Sequence, residues 1–297
     1  MKNPRFSVAT PTRNALEKLK RCVGSVRGQE KVSLQHIIQD ANSTDGTGGW
    51  LIQQKDLISA SEPDNGMYDA INRAWNLSNG EFLSWLNSDE QYLPGALAIV
   101  QDYFDTNPEV DIVFGNYIVV DSLGRPVALR REIPFRKIYV TNGFLSAQSC
   151  TIFFRRRLFE KKLLTLDSSY RYAADKDLIL KLVENGAVIR HIERYLAVFG
   201  IDGTNLSTHP QMHAESEEIR LKYGAQKNLF IRKIIMLGRR VERLARGGYC
   251  KQNIQFQYAL DEIPSYIEHT TFNLGGRYSL KDIEGTVHSA RAVDNSK

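Results

Sequence analysis

The sequence of 297 residues predicts an α/β protein built around a mostly parallel, doubly wound sheet. Predicted strands and helices alternate with short connections, which is the pattern of a parallel sheet covered by helices on both faces. The composition, 42% apolar and 25% charged, is that of a globular protein with a sizeable core. No stretch of the sequence approaches the roughly 18 apolar residues of a membrane span.

The predicted elements follow one another closely. After a strand at residues 5–10, a PTRN turn leads into a helix at 15–26, in which Leu16, Leu19, Val23 and Val26 recur at helical spacing. The pattern continues with a strand (34–40), a polar loop (41–49), a short apolar stretch (57–60), a helix (67–77) and a strand (81–86). Then come a helix (94–108), a strand pair (111–129), a strand (150–156) and a helix (177–186). From about residue 225 a basic helix and a polar tail are predicted.

The cysteines and the first residues indicate the compartment. Cys22, Cys150 and Cys250 are far apart and show no CxxC spacing, which favours reduced, buried thiols over a disulfide framework or a zinc site. The first ten residues, MKNPRFSVAT, pass almost at once into a strand and lack the apolar stretch of a signal peptide. We therefore expect a cytoplasmic protein.

The positive charge is concentrated in one segment. The chain carries a formal charge of +5, whereas residues 220–251 contain ten Lys or Arg and one acid, Glu242. That segment is +9 and the rest of the chain is −4. Such local basicity argues against a nucleic-acid footprint along the whole chain and predicts one patch that faces an anionic partner.

Polar side chains follow three of the predicted strands. They are Thr10, Thr12, Arg13 and Asn14 after the first, Asp40, Asn42 and Asp45 after the second, and Asn87, Ser88, Asp89 and Glu90 after the strand that ends at Leu86. Ligands of open α/β sheets bind beyond the carboxyl ends of the strands, so we expect these residues to converge. Grouped carboxylates are tolerated when a divalent cation lies between them, and Asp and Asn oxygens favour Mg²⁺ or Mn²⁺ over zinc.

The same polar residues also fit simpler roles. Asp89 and Glu90 suit a solvated turn or a cap for the helix that begins near Pro94. A dinucleotide site needs glycines in the turn after the first strand, and PTRNA has none, while DGTGG follows the second strand instead. The sequence also lacks a Walker A phosphate loop.

Four segments carry a resemblance to a known family. They are DANSTDGT, SEPDNGMYDAINRA, LNSDE and YRYAADKDLILKL, and in this order and spacing they resemble the glycosyltransferase family 2 domain of GT-A fold over roughly residues 4–205. The resemblance implies transfer of a sugar from a nucleotide diphosphate to an acceptor hydroxyl, with inversion at the anomeric carbon and with Mn²⁺ or Mg²⁺ as cofactor. It also implies a catalytic domain at 1–224, with a nucleotide-sugar half at about 1–120 and an acceptor half at about 121–224.

The resemblance assigns the nucleotide side first. Thr10 and Asp40 match residues that frame the nucleotide, with Asp40 hydrogen-bonded to the nucleobase. Thr12, Arg13 and Asp45 are candidates nearby.

LNSDE occupies the place of the family's DxD motif. Asp89 matches the aspartate that coordinates the metal, and Asn87 matches the first aspartate, which faces the ribose and the metal, with Ser88 between them. The chain departs from the family in having Asn at the first position and Glu90 where a further Asp is common. An Asn offers a carbonyl ligand without charge, which predicts weaker metal affinity.

The helix at 67–77 belongs to the donor side as well. The resemblance implies that Asp64, Asp69 and Asn72 line the donor sugar and the diphosphate. Trp75 and Trp85 lie in otherwise apolar faces and are predicted to be core residues rather than sugar platforms.

The proton acceptor is assigned to the helix near residue 175. Asp175 matches the family's catalytic base, although Ala174 stands where an acid usually precedes it. Asp177 is expected on another side of the same helix, toward the acceptor, because only residues three or four apart share a face. Gln148 is a second candidate on the acceptor side. The alternative role of Asp175 is that of a helix N-cap.

Two later segments complete the assignment. Residues 199–209 resemble the segment that closes over the donor, and His209 either contacts the diphosphate or is an exposed loop residue. In the basic helix, Ile231, Ile234, Ile235, Leu237, Val241 and Leu244 form one side and Arg232, Lys233, Arg239, Arg240 and Arg243 the other. This pattern is typical of a helix on anionic headgroups, and equally of a helix packed on the domain or on a partner subunit.

The sequence therefore predicts a metal-dependent inverting glycosyltransferase of surface polysaccharide or glycolipid biosynthesis. We expect a nucleotide-diphosphate sugar donor, a carbohydrate or lipid-linked acceptor, contact with an anionic membrane surface through residues 220–251, and no nucleic acid. Two alternatives stay open. One is a non-catalytic protein of the same fold that binds nucleotide or carbohydrate, and the other is a nucleotidyltransferase, for which PTRNALEK is a poor triphosphate loop.

Overall fold

The computed structural model describes residues 4–201 and 209–277. Its strands are β1 (Phe6–Thr12), β2 (Leu34–Asp40), β3 (Ile58–Ser61), β4 (Phe82–Trp85), β5 (Glu90–Tyr92), β6 (Ile112–Val120), β7 (Pro126–Arg130), β8 (Phe153–Arg155), β9 (Ile189–Gly200), β10 (Gln255–Ala259) and β11 (Tyr266–Thr270). Its helices are α1 (Leu16–Arg27), α2 (Thr47–Leu51), α3 (Met67–Asn76), α4 (Ala96–Thr106), α5 (Lys137–Asn142), α6 (Arg157–Glu160), α7 (Ala174–Glu184), α8 (Pro210–Lys222) and α9 (Leu229–Ala245).

Nine of these strands form one mixed sheet in the order β3-β2-β1-β4-β8-β6-β9-β5, with β7 paired to β6. β3, β2, β1 and β4 run parallel, as the alternation of strands and helices predicted. β8 is antiparallel to both β4 and β6, and it joins this parallel group to the parallel pair of β6 and β9. The predicted α/β class is confirmed, with antiparallel strands added in the second half.

Alternate side chains of the sheet enter two apolar layers. Phe6 and Val8 of β1 pack with α1 and α4 on one face, whereas Ala9 packs with α3 and α7 on the other. Trp75 and Trp85 lie in the second layer with their ring centroids 5.6 Å apart and almost no exposed surface. Both tryptophans are core residues, as predicted, because each contributes a large apolar area to a closed layer.

Several elements differ from the sequence expectation. The loop predicted at 41–49 contains the start of the short helix α2, and β5 was not predicted because three residues carry no readable period. β9, the longest strand of the sheet, was not predicted either. Its first half, IRHIER, shows no alternation of charged and apolar residues, and the apolar run at 195–199 was not recognised as a strand.

The C-terminal extension is not only helical. After α9 the chain forms a two-stranded antiparallel sheet of β10 and β11, which packs on the nine-stranded sheet. The amide of Gln91 donates to the carbonyl oxygen of Ala259 at 3.1 Å, and the Ala259 N–H donates to Gln91 Oε1 at 2.8 Å. The predicted extension at 225–297 is thus joined to the sheet as far as residue 277, where the described part ends.

The burial of the cysteines and of the arginines of α9 differs in part from the prediction. Cys22 and Cys150 are buried free thiols, whereas Cys250 is exposed, so the prediction of a buried thiol was wrong at that position. The predicted basic side of the helix at 231–245 is not one surface: Arg239 and Arg243 are buried against the domain, whereas Lys233 and Arg240 are exposed. Among the described residues, no helix is both long and apolar enough to cross a membrane.

Candidate active site

The carboxyl ends of β1 and β2 continue into two loops that are tied together by Asn14. The Asn14 N–H donates to the Ser43 hydroxyl at 2.7 Å, and the Thr44 N–H donates to Asn14 Oδ1 at 2.8 Å. Asn14 has a φ of 49°, a left-handed conformation that Asn tolerates better than most residues. These contacts hold the β1–α1 and β2–α2 loops as one surface at the predicted edge of the sheet.

Asp40 lies buried at the base of this surface, at the end of β2. Its carboxylate accepts hydrogen bonds from the Ser43 N–H at 3.1 Å, from the Ser43 hydroxyl, and from the Ser61 hydroxyl at 2.6 Å. Three donors around one carboxylate hold it in a single orientation. The predicted position of Asp40 at a strand end is confirmed, and its orientation is set by residues 3 and 21 positions away.

The residues after β1 are divided between core and rim. Thr10 is fully buried and its hydroxyl lies 2.8 Å from His36 Nε2, so this side chain faces the core. Burial lowers the pKa of His36 to about 3, which keeps its ring neutral. The Thr12 hydroxyl is buried and has no hydrogen-bond partner among the described residues, whereas Arg13 is exposed at the rim.

Asp45 stabilises the start of α1. Its carboxylate accepts from the Leu16 N–H at 3.0 Å, from the Thr47 N–H at 3.1 Å and from the Thr47 hydroxyl at 2.6 Å. The Thr47 hydroxyl lowers the pKa of Asp45 against the opposing effect of burial, with the two N–H groups adding to it. The side chain therefore shapes the β1–α1 and β2–α2 loops from an exposed position.

The donor-side residues of the second motif have distinct surroundings. Asp64 accepts from the Gly66 N–H at 2.8 Å, and Gly66 has a φ of 109°, which disfavours any side chain there. Asp69 accepts from the Asn65 N–H at 2.9 Å and pairs with Arg73 at 2.8 Å. Burial opposes ionisation of Asp69, but these two partners outweigh it and lower the pKa.

Asn72 does not face the open edge. Its side-chain amide donates to the Leu166 carbonyl at 2.8 Å, and its Oδ1 accepts from the Leu166 N–H at 3.0 Å. Both ends of the amide are thus used to attach α3 to the segment near residue 166. Asn72 therefore joins α3 to the segment near residue 166, and its side chain does not line the open edge.

The turn between β4 and β5 presents Asn87, Ser88 and Asp89 and buries Glu90. The Glu90 carboxyl accepts from the Asn87 N–H at 2.8 Å and from the Ser149 hydroxyl at 3.1 Å. Burial, reinforced by the charge of Asp89, raises the pKa of Glu90 to about 8. Glu90 is therefore protonated at neutral pH.

Asp89 lies beside a narrow cleft of about 30 Å³. Its wall is made by the Asp89 turn, the ends of β6 and β9, helix α1 and the C-terminal sheet, through Lys18, Arg21, Ser88, Asp89, Gln91, Asp121, Ser122, Gly200, Ile201 and Tyr258. A Cβ atom on Gly200 would lie 2.8 Å from the Asp89 carbonyl oxygen, so only glycine lets β9 approach the turn this closely. The cleft has room for an ion or a water molecule, and a sugar would have to lie outside it.

The donor set at this turn suits a hard cation. Asn87 Oδ1 is buried without a hydrogen-bond partner among the described residues, and it lies two residues from the Asp89 carboxylate. The part of the chain that the structure describes holds no cluster of three or more His, Cys, Asp or Glu that could bind a metal alone. One carboxylate with an amide oxygen is the kind of set that Mg²⁺ and Mn²⁺ use when substrate phosphates supply further ligands.

Asp175 stands in the first turn of α7 and is half-buried. The helix begins at Ala174, and its N-cap residue is Ala173, so Asp175 is not the N-cap. Burial raises the pKa of Asp175 to about 6, although the Lys176 N–H donates to its Oδ1 at 2.8 Å. A carboxylate with this pKa can accept a proton near neutral pH and is a suitable general base.

The two residues expected near the acceptor lie in different places. Asp177 is buried on another side of α7, where it pairs with Lys222 at 2.7 Å, and its backbone carbonyl accepts from the Tyr223 hydroxyl at 3.2 Å. That ion pair joins α7 to α8. Gln148 is half-buried and directly precedes Ser149, whose hydroxyl binds Glu90. Gln148 therefore lies near the turn at residues 87–90, and its contact with the acceptor stays a prediction.

Sequence inspection missed Glu215 of α8. Its buried carboxylate accepts from three consecutive backbone N–H groups, those of Arg171 at 2.9 Å, Tyr172 at 2.8 Å and Ala173 at 3.1 Å. These residues directly precede α7, so Glu215 fixes the loop from which Asp175 emerges. No local signal identifies it, because the contacts join positions more than 40 residues apart.

A second cavity, of about 160 Å³, opens beside this loop. It is lined by Asn65, Gly66, Met67, Tyr68, Ser168, Tyr170, Arg171 and Tyr172. Tyr68 links it to Asp175, since the charge of Asp175 adds to burial in raising the pKa of the Tyr68 hydroxyl. His209 stacks on Tyr172 with ring centroids 4.5 Å apart, which gives it a packing role. The rest of the predicted closing segment, residues 202–208, lies outside the described residues.

Comparisons with known proteins agree with this geometry. The family model described as "Glycosyl transferase family 2" matches residues 7–164, more than half of the chain. A PGL/p-HBAD biosynthesis glycosyltransferase of Mycobacterium bovis is 29% identical over 213 residues, covering 67% of this chain and 76% of that protein.

Two solved structures share the fold. TarS of S. aureus in complex with UDP-GlcNAc has a TM-score of 0.62 at 17% identity, covering 81% of this chain and 73% of that one. The mannosyltransferase PcManGT from Pyrobaculum calidifontis, in complex with GDP-Man and Mn²⁺, has a TM-score of 0.55 at 16% identity, covering 83% and 73%.

Proposed function

The chain belongs to glycosyl transferase family 2, and on that premise we propose that it transfers a sugar from a nucleotide diphosphate to an acceptor hydroxyl with inversion. It is a glycosyltransferase with the GT-A fold. The observation that carries the proposed mechanism is the half-buried Asp175, whose pKa is raised to about 6 at the site edge of the sheet. A base of that strength is what a hydroxyl nucleophile needs.

We assign the donor to the surface formed by the β1–α1 and β2–α2 loops. Asp40, held by Ser43 and Ser61, has a fixed carboxylate that can accept from an N–H group of the base. The Thr10 hydroxyl is hydrogen-bonded to His36, so we assign to Thr10 a main-chain contact with the donor, beside Thr12 and Arg13. UDP-GlcNAc and GDP-Man, named with two structures of the same fold, support a nucleotide-sugar donor as a class.

We assign a divalent cation to the turn at residues 87–89. Asp89, with the amide oxygen of Asn87, would hold Mn²⁺ or Mg²⁺, and the donor diphosphate would supply further oxygens. When bound, such an ion offsets the charge that develops on the departing nucleotide diphosphate. Protonated Glu90 supports the turn from below without adding a second negative charge.

The transfer itself is assigned to Asp175. The acceptor oxygen attacks the anomeric carbon, the bond from that carbon to the phosphate oxygen breaks, and the nucleotide diphosphate leaves with the electron pair. Asp175 takes the proton of the acceptor hydroxyl. Glu215 holds the preceding loop by three N–H groups, so the carboxylate is positioned before the substrate arrives.

We assign the acceptor to the 160 Å³ cavity beside the loop that precedes Asp175. Gln148 does not line this cavity. Tyr68, Tyr170 and Tyr172 contribute to its lining, although Tyr68 and Tyr170 are buried and Tyr172 is stacked on His209. Asp177 contributes by holding α7 against α8. We propose a carbohydrate or lipid-linked acceptor used on the cytoplasmic side in polysaccharide or glycolipid assembly, which the relative named for PGL/p-HBAD biosynthesis supports.

Titration calorimetry tests the donor assignment directly. UDP, GDP, dTDP, ADP and CDP are titrated with Mn²⁺ and again with EDTA, using circular dichroism to show that the protein is folded. We expect metal-dependent binding of one diphosphate, loss of that binding in Asp89→Ala, and retention in Asp175→Asn. If folded protein binds no diphosphate, the proposal of a donor site fails and a non-catalytic role becomes the better account. Pyrophosphate release from a nucleoside triphosphate and a sugar phosphate would instead indicate a nucleotidyltransferase.

A further inference from the structure

Helix α9 turns its apolar side away from the protein. Seven apolar residues at its outer surface are between 42% and 70% exposed: Leu229, Phe230, Ile231, Ile234, Leu237, Val241 and Leu244. Five of them, from Phe230 to Leu244, recur at alternating spacings of four and three, which places them along one stripe. An exposed apolar stripe of this length is unusual for a monomer and marks a surface that binds something.

The basic side of the same helix is used for packing. Arg239 and Arg243 are buried, with their guanidinium groups 3.6 and 3.9 Å from the carboxylate of Glu132. Arg232 donates to the Asn142 carbonyl at 3.0 Å and pairs with Glu217 at 3.0 Å. These contacts fix the rotation of α9, so the apolar stripe cannot turn inward without breaking several ion pairs.

The charges around the stripe select its partner. Lys227, Lys233 and Arg240 are exposed, and the last two lie four and three residues from Leu237 on the same side of the helix. The only acid of α9, Glu242, is paired with Arg136 and Arg246. A second copy of this face would bring like charges together, whereas an anionic lipid surface complements both the cations and the apolar stripe.

The stripe is close to the acceptor side of the site. α9 packs on α5, and Phe144, half-exposed, lies under the Arg239 guanidinium at 4.3 Å. The adjacent Gly143 accepts from Lys176 Nζ at 3.0 Å, and Lys176 follows Asp175 in the chain. A surface bound to the stripe is therefore connected to the base through α5 and the start of α7.

We propose that α9 lies flat on an anionic bilayer, with its apolar stripe in the headgroup region, and that this presents the active site to an acceptor carried by a lipid. A helix of 17 residues is about 25 Å long, enough to anchor in the membrane plane without crossing it. The binding surface stands on its own, whereas the role in acceptor delivery rests on the proposed transfer reaction.

Vesicle flotation of the full chain tests the surface. Phosphatidylcholine vesicles are compared with vesicles that also contain phosphatidylglycerol, at low and high salt. We expect binding to the anionic vesicles, weakened by salt, and a loss of at least about tenfold in partitioning for the double variant Leu237→Ser with Val241→Ser. Lys233→Glu with Arg240→Glu should also lose binding. The matched control is Ile52→Ser with Ile263→Ser, two exposed apolar residues outside α9, which should bind as the wild type does.

Three outcomes would overturn the proposal. Equal flotation of the stripe variant and the control variant would show that α9 is not the contact. A dimer in light scattering that the stripe variant abolishes would identify a second copy as the partner. Absence of flotation with either vesicle would exclude the lipid surface. Calorimetric donor binding is measured separately on the same variants, so failure of the membrane surface and failure of the transfer reaction are distinguished.

Discussion

Replacing Asp175 with Asn tests the proposed chemistry most directly. The substitution keeps the shape of the side chain and its ability to accept from the Lys176 N–H, which lies 2.8 Å from Oδ1 in the native protein, but it removes the proton acceptor. A positioned base contributes roughly 10² to 10⁴ in rate, so kcat should fall by about that factor. Donor binding should be unchanged, because the residue lies on α7 and not on the nucleotide loops.

The pH dependence of the native enzyme gives an independent measure of the same group. The base acts when deprotonated and its pKa is about 6, so kcat/KM should rise through pH 6 and level off above it. One unit below the pKa only about a tenth of the base is ionised, and kcat/KM should be about a tenth of its plateau. The variant should lose this inflection along with its activity.

The assay is release of the nucleotide diphosphate in the presence of acceptor, once calorimetry has identified the donor. Asp102→Asn is the control, since it makes the same chemical change at an exposed position of α4. Full activity in Asp175→Asn would remove it as the base. A native profile that is flat from pH 5 to pH 8 would contradict the raised pKa even if the variant were inactive.

Three further predictions concern the surroundings of the base and the cation turn. Asp89→Ala should abolish the metal-dependent part of donor binding in calorimetry and leave the metal-independent part unchanged; equal affinity with Mn²⁺ and EDTA in the native protein would contradict this. Glu90→Gln removes a carboxyl whose pKa is raised to about 8 by burial. Between about pH 4.5 and 8 this carboxyl is protonated in the folded protein but ionised in the unfolded one, so the native protein should lose stability relative to the variant as the pH rises through that range. Urea unfolding in EDTA at several pH values measures this difference, and a pH-independent difference would refute it. Glu215→Gln should lower the free energy of unfolding by about 1–3 kcal/mol. It should also move the kcat/KM inflection to lower pH, because the charge of Glu215 helps to raise the pKa of Asp175; an unmoved inflection would leave Glu215 with a structural role only.

The first half of the fold was predictable because its signals are local. β2 occupies residues 34–40 as predicted, and Trp75 and Trp85 are core residues, since buried parallel strands and amphipathic helices have clear periods. The cluster of polar residues at the strand ends followed from the general position of ligands in such sheets. Sequence inspection therefore identified the edge of the sheet to which we assign the site.

The roles within the site were harder to predict, because they depend on partners far along the chain. Thr10 and Asn72 match the family pattern, yet the Thr10 side chain is hydrogen-bonded to His36 and the Asn72 side chain to Leu166. Glu215 holds the loop before Asp175 from a helix more than 40 residues away. No spacing in the sequence encodes such contacts.

What the sequence by itself determined is the α/β class, the family, and the residue types available at the strand ends, because periodicity and motif order are properties of neighbouring residues. Tertiary structure alone decided which of two faces of α9 is buried. The pattern showed one apolar and one basic side, and the usual expectation is that the apolar side packs inward. Here Glu132 and Glu217, from other parts of the chain, lie near the arginines and favour the opposite rotation. The apolar stripe faces outward because Glu132 and Glu217 hold the arginines of α9 against the protein.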